Sequence, residues 1–218
     1  MMGRIIHENP DIVGVTGTTP EYQSVMTLLR RIKKTIPGVK TVVGGAHATH
    51  VPWVFVDDCE ELDYVVIYEG EKSMVAIAQG DKDALQEYSN NAQRLLRKVN
   101  LQAPERYQGR VILGPNQTTE DLERIRPLRI LPFIDMSPYR YVDPEFGLVQ
   151  TESIETARGC PFGCAFCSSA RSGLGMRSID NVLEELDLLD RQFKAKDRKG
   201  FVIFLDDTLT FRACQLLK

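Results

Sequence analysis

The chain has 218 residues, 43% of them apolar, and carries 27 Lys and Arg against 30 Asp and Glu. A formal charge of −3 gives no general attraction to nucleic acid or an anionic membrane, and the composition is that of one large or two small globular domains. No stretch approaches the ~18 consecutive apolar residues that a spanning helix needs, and the N-terminus lacks the basic, apolar and small-residue order of a secretion signal.

The opening segment Met1 to Pro10 reads as the tail of a helix. Asp11 to Thr16 is a short β-branched run of the kind buried in a parallel sheet. Thr19 offers an N-cap and Pro20 a first helical position for a helix carrying Tyr22, Val25, Met26, Leu29, Ile32 and Ile36 at helical spacing, and Pro37-Gly38 stops it. Val39 to Val43 predicts the next strand, running into Gly44-Gly45, and Leu62 to Ile67 a third, running into Glu69-Gly70-Glu71. Strands alternating with helices predict a doubly wound (Rossmann- or flavodoxin-like) α/β sheet over residues 1–99. Such a sheet has more than three strands, so a first strand and helix are expected ahead of Met1.

Ser73 to Val99 reads as helical, with a more polar stretch from Asp81. Residues 100–150 carry six prolines and little periodicity apart from an extended piece at Arg110 to Leu113, and read as a connector. A second α/β unit is expected over 151–218: a strand from Ser153 to Ala157, a cysteine loop, a helix capped by Ser178, and a buried strand from Phe201 to Leu205. The helix carries Ile179, Val182, Leu183, Leu186, Leu189 and Phe193 on one face.

The loop Ala157-Arg158-Gly159-Cys160-Pro161-Phe162-Gly163-Cys164-Ala165-Phe166-Cys167 has the spacing C-x3-C-x2-C. Pro161 and Gly163 favour a wrapping loop over a helix. Three soft thiolates suit iron–sulfur or zinc. A structural zinc or an electron-carrying cluster takes four protein ligands, whereas three leave one iron of a cubane open to a small molecule. Five cysteines, an odd number with three close together, argue against a secreted disulfide framework and for a reducing, cytoplasmic setting. Cys59 and Cys214 lack partners at motif spacing and read as structural thiols. Asp206 and Asp207 end the last strand, where a carboxylate serves either a ligand or a helix cap. Arg177, after the loop Ser172 to Met176, can pair with a carboxylate or sit in solvent.

The cysteine loop resembles the signature of the radical S-adenosylmethionine superfamily, with Phe166 at the customary aromatic position. The resemblance implies that Cys160, Cys164 and Cys167 hold a 4Fe–4S cluster whose open iron chelates S-adenosylmethionine, giving methionine and a 5′-deoxyadenosyl radical. It also implies that residues 151–218 begin an incomplete TIM-type barrel, that Asp206, Asp207 and Arg177 lie near S-adenosylmethionine, and that a reductant such as flavodoxin or ferredoxin delivers the electron. The segments Pro10 to Thr19, Val42 to Thr49 and Tyr64 to Glu71 occur in the order seen in cobalamin-binding domains, so the likeness is to radical S-adenosylmethionine proteins with such a domain ahead of the barrel. By that likeness Thr16, Gly17, Thr18, Gly44, Gly45, Glu69 and Gly70 line the pocket for the cobalamin nucleotide tail. His47 reads as a pocket or capping residue and not a cobalt ligand, since the Asp-x-His-x-x-Gly loop is absent. The implied activity is radical methyl transfer to an unactivated centre of a small molecule, with radical oxidative cyclisation of the tetrapyrrole type as the alternative. A third expectation is a truncated cofactor-binding piece that turns over no substrate, because an eight-unit barrel needs roughly 200 residues. No residue is singled out as an acid, base or nucleophile.

Overall fold

The computed structural model describes residues 2–124, 140–167, 172–196 and 200–209. Cys214 and residues 125–139 of the expected connector lie outside the described residues. Two compact units divide at residues 116 and 117.

In the first unit, α1 (Met2–Glu8) precedes β1 (Ile12–Thr16), α2 (Tyr22–Thr35), β2 (Lys40–Gly44), α3 (Ala46–His50), α4 (Pro52–Asp58), β3 (Tyr64–Val66), α5 (Glu71–Gln79), α6 (Lys82–Lys98) and β4 (Val111–Ile112). The strands form one parallel sheet in the order β1-β2-β3-β4. Parallel strands need crossovers, and the helices that supply them cover both faces, which makes the sheet doubly wound as expected. Val25, Met26 and Leu29 of α2 and Phe55 and Val56 of α4 pack with Val43, Val65 and Val111 on one face. Ile77 and Met74 of α5 and Leu85 and Tyr88 of α6 pack with Val42, Val66 and Ile112 on the other. Segment 100–116, read as part of a connector, supplies the fourth strand: its extended piece buries Val111 and Ile112 completely.

Two caps differ from expectation. Thr18, not Thr19, starts the turn into α2: its N–H and hydroxyl both donate to Glu21 Oε2 at 2.8 Å, and this holds the Glu21 carboxyl below its ordinary pKa. The helical stretch expected over 73–99 divides into two helices at Gly80. Gly80 adopts a left-handed conformation that ends α5, and the Asp81 carboxylate accepts the Ala84 N–H at 3.0 Å to start α6.

The amino end of the sheet is tied by polar contacts. Lys33 at the end of α2 donates to Asp63 at 2.8 Å and to the Val39 carbonyl at 3.1 Å, while the Thr41 N–H reaches the same carboxylate at 2.7 Å. Burial pushes the Asp63 carboxyl up, but Lys33 and Thr41 more than offset it, so it titrates below the ordinary Asp range. Cys59 is buried, as a structural thiol should be, and burial pushes its pKa up.

The second unit contains α7 (Thr119–Arg124), β5 (Arg140–Asp143), β6 (Gly147–Ile154), β7 (Ala157–Arg158), β8 (Gly175–Met176), α8 (Ile179–Ala195) and β9 (Gly200–Phe204). β5 and β6 form an antiparallel hairpin, and β6 pairs in parallel with β9 through the crossover helix α8. The strand read from Ser153 begins at Gly147 and ends at Ile154, because the hairpin turn, where Asp143 Oδ1 accepts the Glu145 and Phe146 N–H groups, pairs its first half with β5. Ser178 caps α8 as expected, accepting the Asn181 N–H at 3.3 Å. Val182, Leu189 and Phe193 of α8 are buried, but Leu183 is exposed and Glu185 takes a buried place on the helix. One βαβ unit is described here, and no barrel closes among the described residues. None of the described helices is long and apolar enough to cross a membrane.

Candidate functional site

The carboxyl end of the first sheet opens into a cavity of about 340 Å³ lined by Gly14, Val15, Thr16, Val42, Gly44, Gly45, Val66, Tyr68, Gly70 and Met74. Glycine makes this space. Gly14 sits mid-strand with nothing within 4 Å of where a Cβ would stand. Gly45, with φ +92°, brings β2's exit so close to β1 that a Cβ would lie 2.3 Å from Thr16 Oγ1. Of the residues expected here, Thr16, Gly44, Gly45 and Gly70 line the cavity; Gly17, Thr18 and Glu69 are not among its lining. Gly17 lets the β1 exit approach α2, its Cβ position being 2.7 Å from Val25 Cγ2, and Thr18 caps the short turn that leads into that helix. His47 also lies outside the lining: its Nδ1 is 3.0 Å from Thr19 Oγ1, and its ring stands edge-on to Tyr22 and Phe55 with centroids 5.1 and 5.5 Å away. Sequence reasoning missed Tyr68 and Met74 as lining residues, and nothing in their local pattern signals them. Gly14 was legible as a glycine interrupting a β-branched strand, the usual mark of close backbone approach.

In the second unit the cysteine loop leaves β6 through a polar clamp. Asp206 Oδ1 accepts the Thr156 N–H at 2.7 Å and the Ala157 N–H at 3.2 Å, while its Oδ2 accepts the Thr156 hydroxyl. Asp206 therefore fastens the carboxyl ends of β9 and β6 together, and Asp207 beside it is exposed. The short β7–β8 ladder pairs Ala157 with Met176 and Arg158 with Gly175, closing the base of the loop. Gly159, with φ +88°, passes so near Gly173 that a Cβ would lie 2.1 Å from its carbonyl oxygen. Ser172 Oγ accepts the Cys160 N–H at 3.1 Å, and Cys160 Sγ stands 3.7 Å from Thr208 Oγ1.

Cys160 is buried, whereas Cys164 and Cys167 are exposed and joined by a Cys167 N–H to Cys164 carbonyl bond of 3.2 Å. All three are free thiols. Among the described residues no three His, Cys, Asp or Glu side chains converge into a ready-made metal cage. The donor chemistry still fits an iron–sulfur cluster: three unoxidised thiols within one short loop, its base closed and Cys164 and Cys167 accessible. Phe166 is 92% exposed. Arg177 is 7% exposed, and its guanidinium serves the scaffold: it donates to Glu185 Oε2 at 2.6 Å, to the Glu155 carbonyl at 2.8 Å and to Asn181 Oδ1 at 2.7 Å. The carboxylate it pairs with is thus the chain's own Glu185.

Residues 1–78 match the B12 binding domain family. Over 93% of its length the chain is 32% identical to an uncharacterized methyltransferase of Pyrococcus horikoshii, of which it covers 40%. It is 31% identical, over 92% of its length, to 34% of the anaerobic magnesium-protoporphyrin IX monomethyl ester cyclase of Rubrivivax gelatinosus. It is 25% identical, again over 92%, to 40% of the cytidylyl-2-hydroxyethylphosphonate methyltransferase of Streptomyces wedmorensis. The chain thus spans less than half the length of these relatives. Residues 1–78 thus belong to the B12 binding domain family, and the relatives that match most of the chain are named as methyltransferases and as a cyclase; together these findings support a B12-binding radical S-adenosylmethionine protein.

Proposed function

We propose that the first unit binds cobalamin in the glycine-floored cavity, that the cysteine loop binds a 4Fe–4S cluster and S-adenosylmethionine, and that both serve radical methyl transfer to an unactivated centre of a small molecule. The observation that carries the reading is the pairing, in one chain, of that cavity with a free three-thiol loop. When bound, the cluster supplies the electron that cleaves S-adenosylmethionine and the cobalamin supplies a methyl carrier. Cys160, Cys164 and Cys167 would hold three of the cluster's irons. Asp206 positions the loop through Thr156 and Ala157, and the exposed Asp207 is left to accept hydrogen bonds from an ammonium or hydroxyl of S-adenosylmethionine. Arg177 acts behind them, bracing β6 against α8. The exposed Phe166, next to Cys167, would be free to pack against the bound cofactors, and a low-potential reductant such as flavodoxin or ferredoxin would deliver the electron.

Two relatives named as methyltransferases support methyl transfer; the likeness to a cyclase favours oxidative ring formation as the second reading. Anaerobic reconstitution with iron and sulfide, followed by spin resonance after dithionite, is expected to give a 4Fe–4S signal perturbed by S-adenosylmethionine. Absence of any cluster signal sinks the reading. Titration with hydroxocobalamin, followed in the visible spectrum, tests the cavity independently.

A further inference from the structure

Tyr68 follows β3 with φ +59°, a left-handed conformation that is costly for a residue with a bulky side chain and nearly free for glycine. Its N–H donates to Thr49 Oγ1 at 3.0 Å, which fixes the chain in that conformation. Packing does not account for the residue. Tyr68 is 49% exposed and belongs to neither buried cluster of the unit. It lines the cavity, and it is the only aromatic residue that does. The remaining walls are glycine, valine and Met74, and Thr16 is the only other lining side chain with a polar atom able to donate a hydrogen bond. Such a space suits a flat, largely apolar heteroaromatic base better than a sugar or phosphate. A thioether and a phenol ring are the two side chains best suited to pack on the face of such a base.

We infer that Tyr68 is a specificity-determining residue, held in a strained backbone so that its ring packs on the base at the end of a corrinoid's nucleotide tail. The inference rests on the cobalamin reading and goes beyond it by naming which part of the cofactor Tyr68 selects. The rim of the cavity therefore distinguishes corrinoids that carry an aromatic base from those that lack one.

The test titrates the full chain with hydroxocobalamin and with cobinamide, a corrinoid without the tail, following the visible spectrum. Wild type is expected to bind cobalamin more tightly than cobinamide. Tyr68→Gly and Tyr68→Asn both tolerate the left-handed backbone, so they are expected to unfold at a midpoint no lower than wild type. Each should weaken cobalamin about tenfold, the scale of one aromatic–base stack, and leave cobinamide unchanged. Tyr68→Phe should bind as wild type does. The inference is overturned if Tyr68→Gly binds cobalamin as tightly as wild type, if it weakens both corrinoids alike, or if wild type does not prefer cobalamin to cobinamide. Should wild type bind neither corrinoid, the cobalamin reading itself fails and Tyr68 loses its ligand with it.

Discussion

The two units hold their candidate sites by different means. In the first, the cavity is bounded largely by main chain and by Val15, Val42, Val66 and Met74, which pack in the core, so most of its shape exists before any ligand arrives. In the second, the candidate donors are side chains spread along a loop, with Cys160 buried and Cys164 and Cys167 exposed, and on the proposed reading a shared cluster would draw them together. A site made of backbone is broken by adding atoms, whereas a site made of ligands is broken by removing them.

The sharpest way to break that contrast is to delete one thiol. Cys164→Ala is expected to abolish the reconstituted 4Fe–4S spin signal while leaving hydroxocobalamin binding unaltered. A signal of wild-type intensity would show that the loop does not use this ligand.

The buried Arg177–Glu185 pair is next in size. Both side chains are almost wholly buried, so Glu185→Ala leaves the Arg177 cation without its carboxylate inside the second unit and should cost about 3–5 kcal/mol. Urea unfolding followed by circular dichroism measures this, and Glu185→Gln, which keeps an acceptor, should lose less. An unchanged midpoint in Glu185→Ala would mean that the pair does not brace the scaffold.

The glycines at the two sites give a crossed comparison. Gly45→Ala and Gly159→Ala each force a Cβ into a left-handed residue within 2.3 and 2.1 Å of neighbouring oxygens, at a cost of about 1–3 kcal/mol each. Gly45→Ala should lower cobalamin affinity and spare the cluster; Gly159→Ala should do the reverse. If either variant impaired both cofactors equally, the independence of the two sites would be lost.

The smallest effect belongs to the amino end of the first sheet. The folded pKa of Asp63 is depressed, so its contribution to stability is present above the ordinary value of about 3.9 and is lost as pH falls through the folded value. The stability gap between wild type and Asp63→Asn should be full at neutral pH and close progressively below about pH 4. Thermal midpoints across that range give the measurement, and a gap independent of pH would discard the Lys33–Asp63–Thr41 account.

Much of the first unit was legible because buried parallel strands read as β-branched runs and end on glycines, and both are local signals. Thr16, Gly44, Gly45 and Gly70 could be assigned to the cavity for that reason. The break at Gly80 had its own signal in Gly80-Asp81, a left-handed terminator followed by a capping carboxylate, at the point where the helical stretch turns more polar. In the second unit the cysteine spacing was complete in the sequence, as was the Ser178 cap.

Chain order alone could not say what Asp206 and Arg177 do. Both carry the chemistry of a ligand-binding residue, but an ionic side chain is assigned by its partners, and these come from elsewhere in the chain: Thr156 and Ala157 for Asp206, Glu185 and the Glu155 carbonyl for Arg177. Tyr68 is the same lesson from the opposite side, an aromatic residue without a sequence signal whose φ and place at a cavity rim mark it out. The sequence by itself determined the class of sheet, the glycine-rich strand ends and the three-thiol donor set, because periodicity and spacing are properties of neighbouring residues. Only the tertiary structure decided which charges are spent on the scaffold and which aromatic ring lines the cavity, because those depend on contacts between residues far apart in the chain.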